Sequence, residues 1–174
     1  MVKSGIFGTG FFMQTIFNTT IETPVGFLEL KSDEEALLSV SFISQFNPNS
    51  TEQPDILNEA AKQLHEYFTG ERKIFDLKLK PNGTQFQQKI WELVKNVPYG
   101  KTVSYLDIAK LSGSEKNTRA VGLANGKNPI PIIIPCHRVI GTSGKLTGYA
   151  GGMYRKQWLL QHELNHEKPT GLLF

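Results

Sequence analysis

A chain of 174 residues, 39% hydrophobic and 20% charged, can form one sizeable domain or two small ones, and no apolar run in it approaches the roughly 18 residues that a membrane span needs. The formal net charge of +3 permits a local nucleic-acid-binding patch without demanding one. A single cysteine excludes an intramolecular disulfide and a cysteine-rich zinc site, and points to a reducing, cytoplasmic setting in which a thiol stays free.

The first residues, MVKSGIFGTGFF, lack the h-region and cleavage site of a secretory signal. A second methionine, Met13, follows, and strand-like patterning begins just after it, so residues 1–12 are expected to be a leader outside the fold. QTIFNTT (14–20), GFLELKS (26–32) and ALLSVSFI (36–43) alternate apolar with polar and predict three strands. Pro24-Val25-Gly26 and Asp33-Glu34-Glu35 separate them as turns, and the polar stretch 45–55 predicts a loop. Leu57, Ala61, Leu64 and Phe68 share one face of a helix predicted over 56–68, which Gly70 stops. FDLKLK (75–80) alternates again and predicts a strand with Phe75, Leu77 and Leu79 facing in. Pro81-Asn82-Gly83 then breaks the chain, which places a boundary between an N-terminal domain, 13–82, and a C-terminal domain, 83–174.

Thr84 with Gln87 forms a capping-box pattern before a helix whose Phe86, Ile90, Leu93 and Val94 point inward, ended by Pro98-Tyr99-Gly100. A short helix starting at Ser104-Tyr105-Leu106-Asp107 and terminated by Gly113 is followed by a second, from about Ser114 to Ala124, with Gly126 at its C-cap. Such a pair is a helix-turn-helix pattern, common in many proteins and weak evidence for DNA binding by itself. The apolar run Ile130 to Pro135 predicts a buried extended segment. Residues 141–152 (GTSGKLTGYAGG) are Gly-rich without a strand–GxGxxG–helix context, which favours a loop near a site over a phosphate cradle. A last helix is predicted from about Met153 to Glu163, with Tyr154, Trp158 and Leu159 as core contacts.

Cys136 is the natural focus. A lone cysteine is more often a small buried hydrophobe than a nucleophile. Here His137 and Arg138 follow it directly, both favour thiolate over thiol when close, and Pro135 and the Gly-rich loop pin the chain on either side. A nucleophile for acyl transfer, redox chemistry or alkyl transfer fits these residues equally.

The run Asn128-Pro129-Ile130-Pro131-Ile132-Ile133-Ile134-Pro135-Cys136-His137-Arg138-Val139 resembles the active-site signature of the alkylguanine-DNA alkyltransferases, also called methylated-DNA–protein-cysteine methyltransferases. Tyr99-Gly100-Lys101-Thr102-Val103-Ser104-Tyr105, Thr118-Arg119-Ala120-Val121-Gly122, Gly148-Tyr149-Ala150-Gly151-Gly152 and Trp158 to Glu163 match in order and spacing, so the resemblance covers about residues 81–165. It implies an α/β fold: a small N-terminal ribonuclease-H-like α/β domain and a mostly helical C-terminal domain with a winged-helix-like helix-turn-helix. It implies single-turnover repair, in which an alkyl group moves from O6 of guanine (or O4 of thymine) in double-stranded DNA to Cys136. No cofactor is implied, and the zinc-binding cysteines of some relatives are absent, so no metal is expected. A monomer is expected.

By that resemblance Cys136 is the nucleophile, His137 a base acting through a water, and Glu163 the group that orients His137. Tyr105 would donate a proton to guanine N3, and Asn128 would tie the recognition helix to the active-site segment. Arg119 would enter the base stack and offset part of the cost of flipping. Ala120, Gly122 and Ala124, being small, would let the helix approach the minor groove, and Thr118 and Tyr105 would also bind the DNA. Pro131, Val139, Tyr149 and Ala150 would line the pocket. Read without the resemblance, Glu163 is a helix-end charge, Tyr105 a core aromatic and Asn128 a turn former before proline. A cysteine hydrolase built on Cys136, His137 and Glu163, or a helix-turn-helix regulator with a structural cysteine, remain alternatives. The alkyltransferase reading requires an ionised sulfur at Cys136 at neutral pH.

Overall fold

The computed structural model describes residues 14–167; the expected leader, 1–12, and residues 168–174 lie outside the described residues. Three strands, β1 (Phe17–Thr23), β2 (Gly26–Ser32) and β3 (Leu37–Ile43), form an antiparallel meander in the order β1-β2-β3. The period-2 alternation sends Leu28 and Leu30 of β2 to the covered face, both with no exposed surface. The tight turn between β1 and β2 closes on Gly26, whose φ of 103° lies in the left-handed region. Asp33 turns β2 into β3 by accepting hydrogen bonds from the backbone N–H groups of Glu35 (2.9 Å) and Ala36 (2.7 Å).

Helix α1 (Asp55–Phe68) packs on this sheet through Leu57, Ala60, Leu64 and Tyr67. The strand expected over 75–80 is reduced to one bridge. The Leu37 N–H donates to Lys78 O and the Lys80 N–H to Leu37 O, each at 2.9 Å. Farther along the same edge the Val40 N–H is taken by Pro129 O at 2.9 Å. The free edge of β3 is thus shared between two segments, and neither can extend into a ladder. Phe75, Leu77 and Leu79 still face the core as their alternation predicts.

The C-terminal half holds helices α2 (Gln85–Lys95), α3 (Tyr105–Ser112), α4 (Thr118–Gly126) and α5 (Met153–Glu167), with a two-residue parallel pair, β4 (Val103–Ser104) and β5 (Val139–Ile140). Capping boxes open α2 at Thr84 and α3 at Ser104, and each satisfies helix-end N–H groups that would otherwise lack partners. Gly113 closes α3 at φ 118°, and one short 3-10 turn later α4 begins. Gly126 is the last residue of α4 rather than its cap, which is Lys127. Helix α5 runs to Glu167, beyond the expected end at Glu163; Leu159 is fully buried, but Tyr154 is 66% exposed and is no core contact.

The segment 130–135 is buried as expected but is folded into a tight turn, not extended: the Ile134 N–H donates to Ile130 O at 2.9 Å. This turn forces Ile132 to φ 75°. A β-branched residue there costs on the order of 1–3 kcal/mol, which survives only where neighbours over-determine it. Buried residues from both halves, among them Leu28, Leu57, Tyr67, Trp91, Ile108 and Leu159, form one continuous core. Among the described residues no helix is long and apolar enough to cross a membrane.

Candidate active site

Asn128 clamps the strained turn that delivers Cys136. Its side-chain N–H donates to Ile134 O (2.8 Å) while its Oδ1 accepts from the Ile130 N–H (2.9 Å). The Cys136 N–H donates to Ile134 O at 2.8 Å, and the Cys136 carbonyl accepts from the Asn125 side chain of α4 at 3.3 Å. The backbone around the sulfur is therefore held from the turn and from α4 together. Cys136 itself is 4% exposed.

Glu163 of α5 is the hub beneath it. Its Oε1 accepts from Tyr67 Oη (2.8 Å), His137 Nε2 (2.6 Å) and Arg138 Nη2 (3.0 Å). Its Oε2 accepts from Arg138 Nε (2.9 Å) and from the Gly100 N–H (3.0 Å). Both His137 and Glu163 side chains are fully buried. Burial opposes the carboxylate, but the hydrogen bonds from His137 and Arg138, with the charge of Arg138, outweigh it and hold Glu163 down to about 2. For His137 burial prevails over Glu163 and the imidazole is pushed below its ordinary value. At neutral pH the pair is thus an ionised Glu163 and a neutral His137, with Arg138 as the counter-charge. The proton on His137 then sits on Nε2, facing the carboxylate, and Nδ1 presents its lone pair. Nδ1 is buried and has no hydrogen-bond partner among the described residues.

Arg138 spends its third donor on Val97 O at 2.6 Å. It therefore serves Glu163 and not the sulfur. Burial raises Cys136 to about 11, against the opposing pull of the Asn128 side chain and the charge of Lys156. This corrects the expected ionised sulfur: in the folded chain Cys136 is a thiol at neutral pH, because burial disfavours the anion and Arg138 is engaged with Glu163 and Val97. The positive charge that does bear on it is Lys156 of α5, whose Nζ is held by Val139 O (2.6 Å) and Thr147 O (2.9 Å). Lys156 is fully buried, and burial lowers it to about 8 against the opposing effect of Cys136.

An open groove of about 540 Å³ runs between α3, α4 and the loop 147–150. Tyr105, Thr118, Arg119, Gly122, Tyr149 and Ala150 all wall it. Tyr105 is the first residue of α3, directly after the Ser104 cap, and its hydroxyl donates to Thr147 O at 3.4 Å. Arg119 and Ala120 are exposed on α4, while the Thr118 hydroxyl is engaged with Glu115 O at 2.6 Å. Ala124 turns inward, with its carbonyl accepting from Trp91 Nε1 at 2.8 Å, and the outer face instead carries Leu123, 66% exposed. Pro131 and Val139 are buried in the core and do not reach the groove wall, so the pocket residues divide into two that wall it and two behind. Cys136 is likewise not among the residues that wall it. Tyr149 links the two regions: it walls the groove, and the charge of Cys136 adds to the burial that holds its phenol well above the ordinary value.

The structure thus brings Cys136, His137, Glu163 and Asn128 together, and gathers Tyr105, Arg119, Thr118, Gly122, Tyr149 and Ala150 around one groove. It adds residues that sequence reasoning did not single out: Tyr67, Asn125, Lys156 and the Glu163-bound role of Arg138. Lys156 carried a signal, since it shares the buried stripe of α5 with Leu159 and Glu163 at i, i+3, i+7. Tyr67 reads only as a core position of α1. Among the described residues no group of His, Cys, Asp or Glu could hold a metal ion.

Comparison with known proteins matches both halves. Residues 85–165 match the family model described as 6-O-methylguanine DNA methyltransferase, DNA binding domain, and residues 16–81 match that of its ribonuclease-like domain. A methylated-DNA–protein-cysteine methyltransferase of Methanosarcina acetivorans is 48% identical over 153 residues, covering 85% of this chain and 98% of the relative. A constitutive methylated-DNA–protein-cysteine methyltransferase of Bacillus subtilis is 48% identical over 145 residues, covering 78% and 87%. The Mycobacterium tuberculosis O6-methylguanine methyltransferase crystal structure superposes with a TM-score of 0.80 at 43% identity, over 90% of this chain and 97% of the other. A Mycobacterium tuberculosis OGT structure in complex with DNA gives 0.77 at 47% identity, over 84% and 92%.

Proposed function

The chain belongs to the 6-O-methylguanine DNA methyltransferase family, and from that premise we propose how its residues carry out the reaction. It is a DNA-repair protein that transfers a methyl or other alkyl group from O6 of guanine, and on our reading also from O4 of thymine, to Cys136. The observation that carries the residue roles is the buried His137 Nε2–Glu163 Oε1 contact of 2.6 Å, which leaves Nδ1 without a hydrogen-bond partner among the described residues, beside the cysteine's own turn.

The sulfur rests as a thiol, so its proton must leave as the substrate arrives. His137 Nδ1 takes that proton through a water, and Glu163 stabilises the imidazolium that forms. Lys156 offsets the negative charge on the sulfur. The S–C bond then forms as the bond from the alkyl carbon to O6 breaks, and Tyr105 donates its phenolic proton to N3 of the departing guanine. Asn128 keeps the cysteine turn in register with α4. A thioether is inert, and Cys136 is the one cysteine of the sequence, so each molecule acts once.

DNA enters at the groove. Arg119 occupies the space left by the extruded base, while Thr118, Ala120 and Gly122 meet the backbone in the minor groove. Tyr149 and Ala150 hold the base, with Pro131 and Val139 supporting the pocket from below. The chain acts as a monomer in the cytoplasm, divided near residues 82 and 83 into a ribonuclease-H-like and a DNA-binding domain.

Mass spectrometry after mixing with a duplex bearing O6-methylguanine tests this reading. One methyl on the peptide holding Cys136, in a single burst equal to the protein concentration, is the expected result. Repeated turnover would point to the hydrolase alternative and overturn it.

A further inference from the structure

The groove wall at residues 147–150 is supported by the N-terminal sheet. The Tyr149 ring meets Phe42 of β3 edge-on, with centroids 6.0 Å apart and planes at 67°. Gly151 is wedged against both rings: a Cβ there would fall 2.6 Å from Phe42 Cε2 and 2.8 Å from Tyr149 Cε1. The Arg155 guanidinium lies 4.8 Å from the Phe42 ring centroid. Arg155 is itself pinned, with Nε donating to Val25 O (2.7 Å) and Nη1 to Gly151 O (2.9 Å). The Tyr149 hydroxyl is buried with no hydrogen-bond partner among the described residues. Among the described residues no hydrogen bond therefore fixes this ring, and packing holds it in place.

We propose that Phe42 is a positioning residue that sets the depth of the alkyl-accepting cavity through Tyr149, so that the N-terminal sheet takes part in selecting which O6-alkyl group is transferred. This rests on the reading of the groove as the guanine site. Phe42 does not wall the groove and acts only through the ring in front of it. In close-packed interiors a deleted ring leaves space that its neighbours partly fill. Loss of Phe42 lets Tyr149 retreat and deepens the groove, whereas a methyl group at Gly151 drives the ring the other way.

The test compares Phe42→Ala, Phe42→Leu and Gly151→Ala with the unaltered chain. Single-turnover rates are measured on duplexes carrying O6-methylguanine or O6-benzylguanine, beside DNA affinity and Tm. For Phe42→Ala the benzyl-to-methyl rate ratio should rise about ten-fold with DNA affinity held within about two-fold. Phe42→Leu should restore part of the original ratio, and Gly151→Ala should lower it. An equal fall on both substrates, following the loss in Tm, would mean that Phe42 is only a structural residue and would overturn the proposal. The NMR signals of the Tyr149 ring, assigned through Tyr149→Phe, provide a readout independent of transfer. They should move in Phe42→Ala, and unchanged signals would refute the positioning role alone. If the unaltered chain transfers no alkyl group from either duplex, the functional reading fails and the selectivity claim falls with it, whatever the ring signals do.

Discussion

Glu163 is the charged group that ties the residues beneath the cysteine together. Five hydrogen bonds converge on its two oxygens from Tyr67, His137, Arg138 and Gly100. Its carboxyl falls from 4.5 to about 2 in the folded chain, so the folded state binds fewer protons there than the unfolded state does. Its contribution, on the order of 3 kcal/mol, is complete above the ordinary carboxylate value and is lost as the pH falls toward the folded value. Urea denaturation across that window should show stability declining with acid, and Glu163→Gln should remove much of the slope. The same variant leaves Arg138 buried without a counter-charge and should cost about 3–5 kcal/mol at neutral pH. Lys156 acts on the sulfur from a different direction. Lys156→Met should raise the Cys136 thiol beyond its already elevated value, read from the pH dependence of thiolate absorbance, and should slow alkyl transfer.

At the scale of elements, the pairing of α3 with α4 rests on cap chemistry. Gly113 closes α3 at φ 118° with nothing near its missing Cβ. Gly113→Ala therefore adds no clash, only backbone strain, and should destabilise by about 1 kcal/mol or more in a denaturant titration. Helix α4 turns Val121 and Ala124 inward and leaves Arg119, Ala120 and Leu123 in solvent. Arg119→Ala should slow repair of duplex DNA much more than reaction with free alkylguanine, because only the duplex must give up a stacked base. Equal losses on the two substrates would count against the intercalating role. The capping boxes at Thr84 and Ser104 and the strand alternation of β1 to β3 were legible in the sequence because they depend on neighbours a few residues apart. The segment 75–80 alternated just as clearly, yet it found only Leu37 to pair with, since Pro129 had taken the next stretch of edge.

Across the whole molecule, the two halves share one core and one polar network. Tyr67 reaches from α1 to Glu163 across 96 residues of sequence. Tyr67→Phe should cost about 2 kcal/mol, the range for a hydrogen bond to a charged group, measurable as a lower midpoint in urea. It should leave DNA affinity intact, because Tyr67 is not among the residues that wall the groove. Phe42 and Arg155 make a second link, from β3 and the β1–β2 turn to the loop beside Tyr149. The N-terminal half thus supports both the charge beneath the cysteine and the wall in front of it.

The order of β1 to β3 and of α1 to α5, the capping boxes at Thr84 and Ser104, the breaker at Pro81-Asn82-Gly83 and the P-C-H-R signature with its flanks were determined by the sequence alone, because each depends on residue type and short-range spacing. Tertiary structure alone decided that Arg138 serves Glu163, that Lys156 is the cation bearing on Cys136, and that the resting sulfur is protonated. Those outcomes are set by burial and by charges from distant segments. Neighbouring letters bring such groups close along the chain, but only packing determines which of them share a low-dielectric interior and therefore which charge survives there.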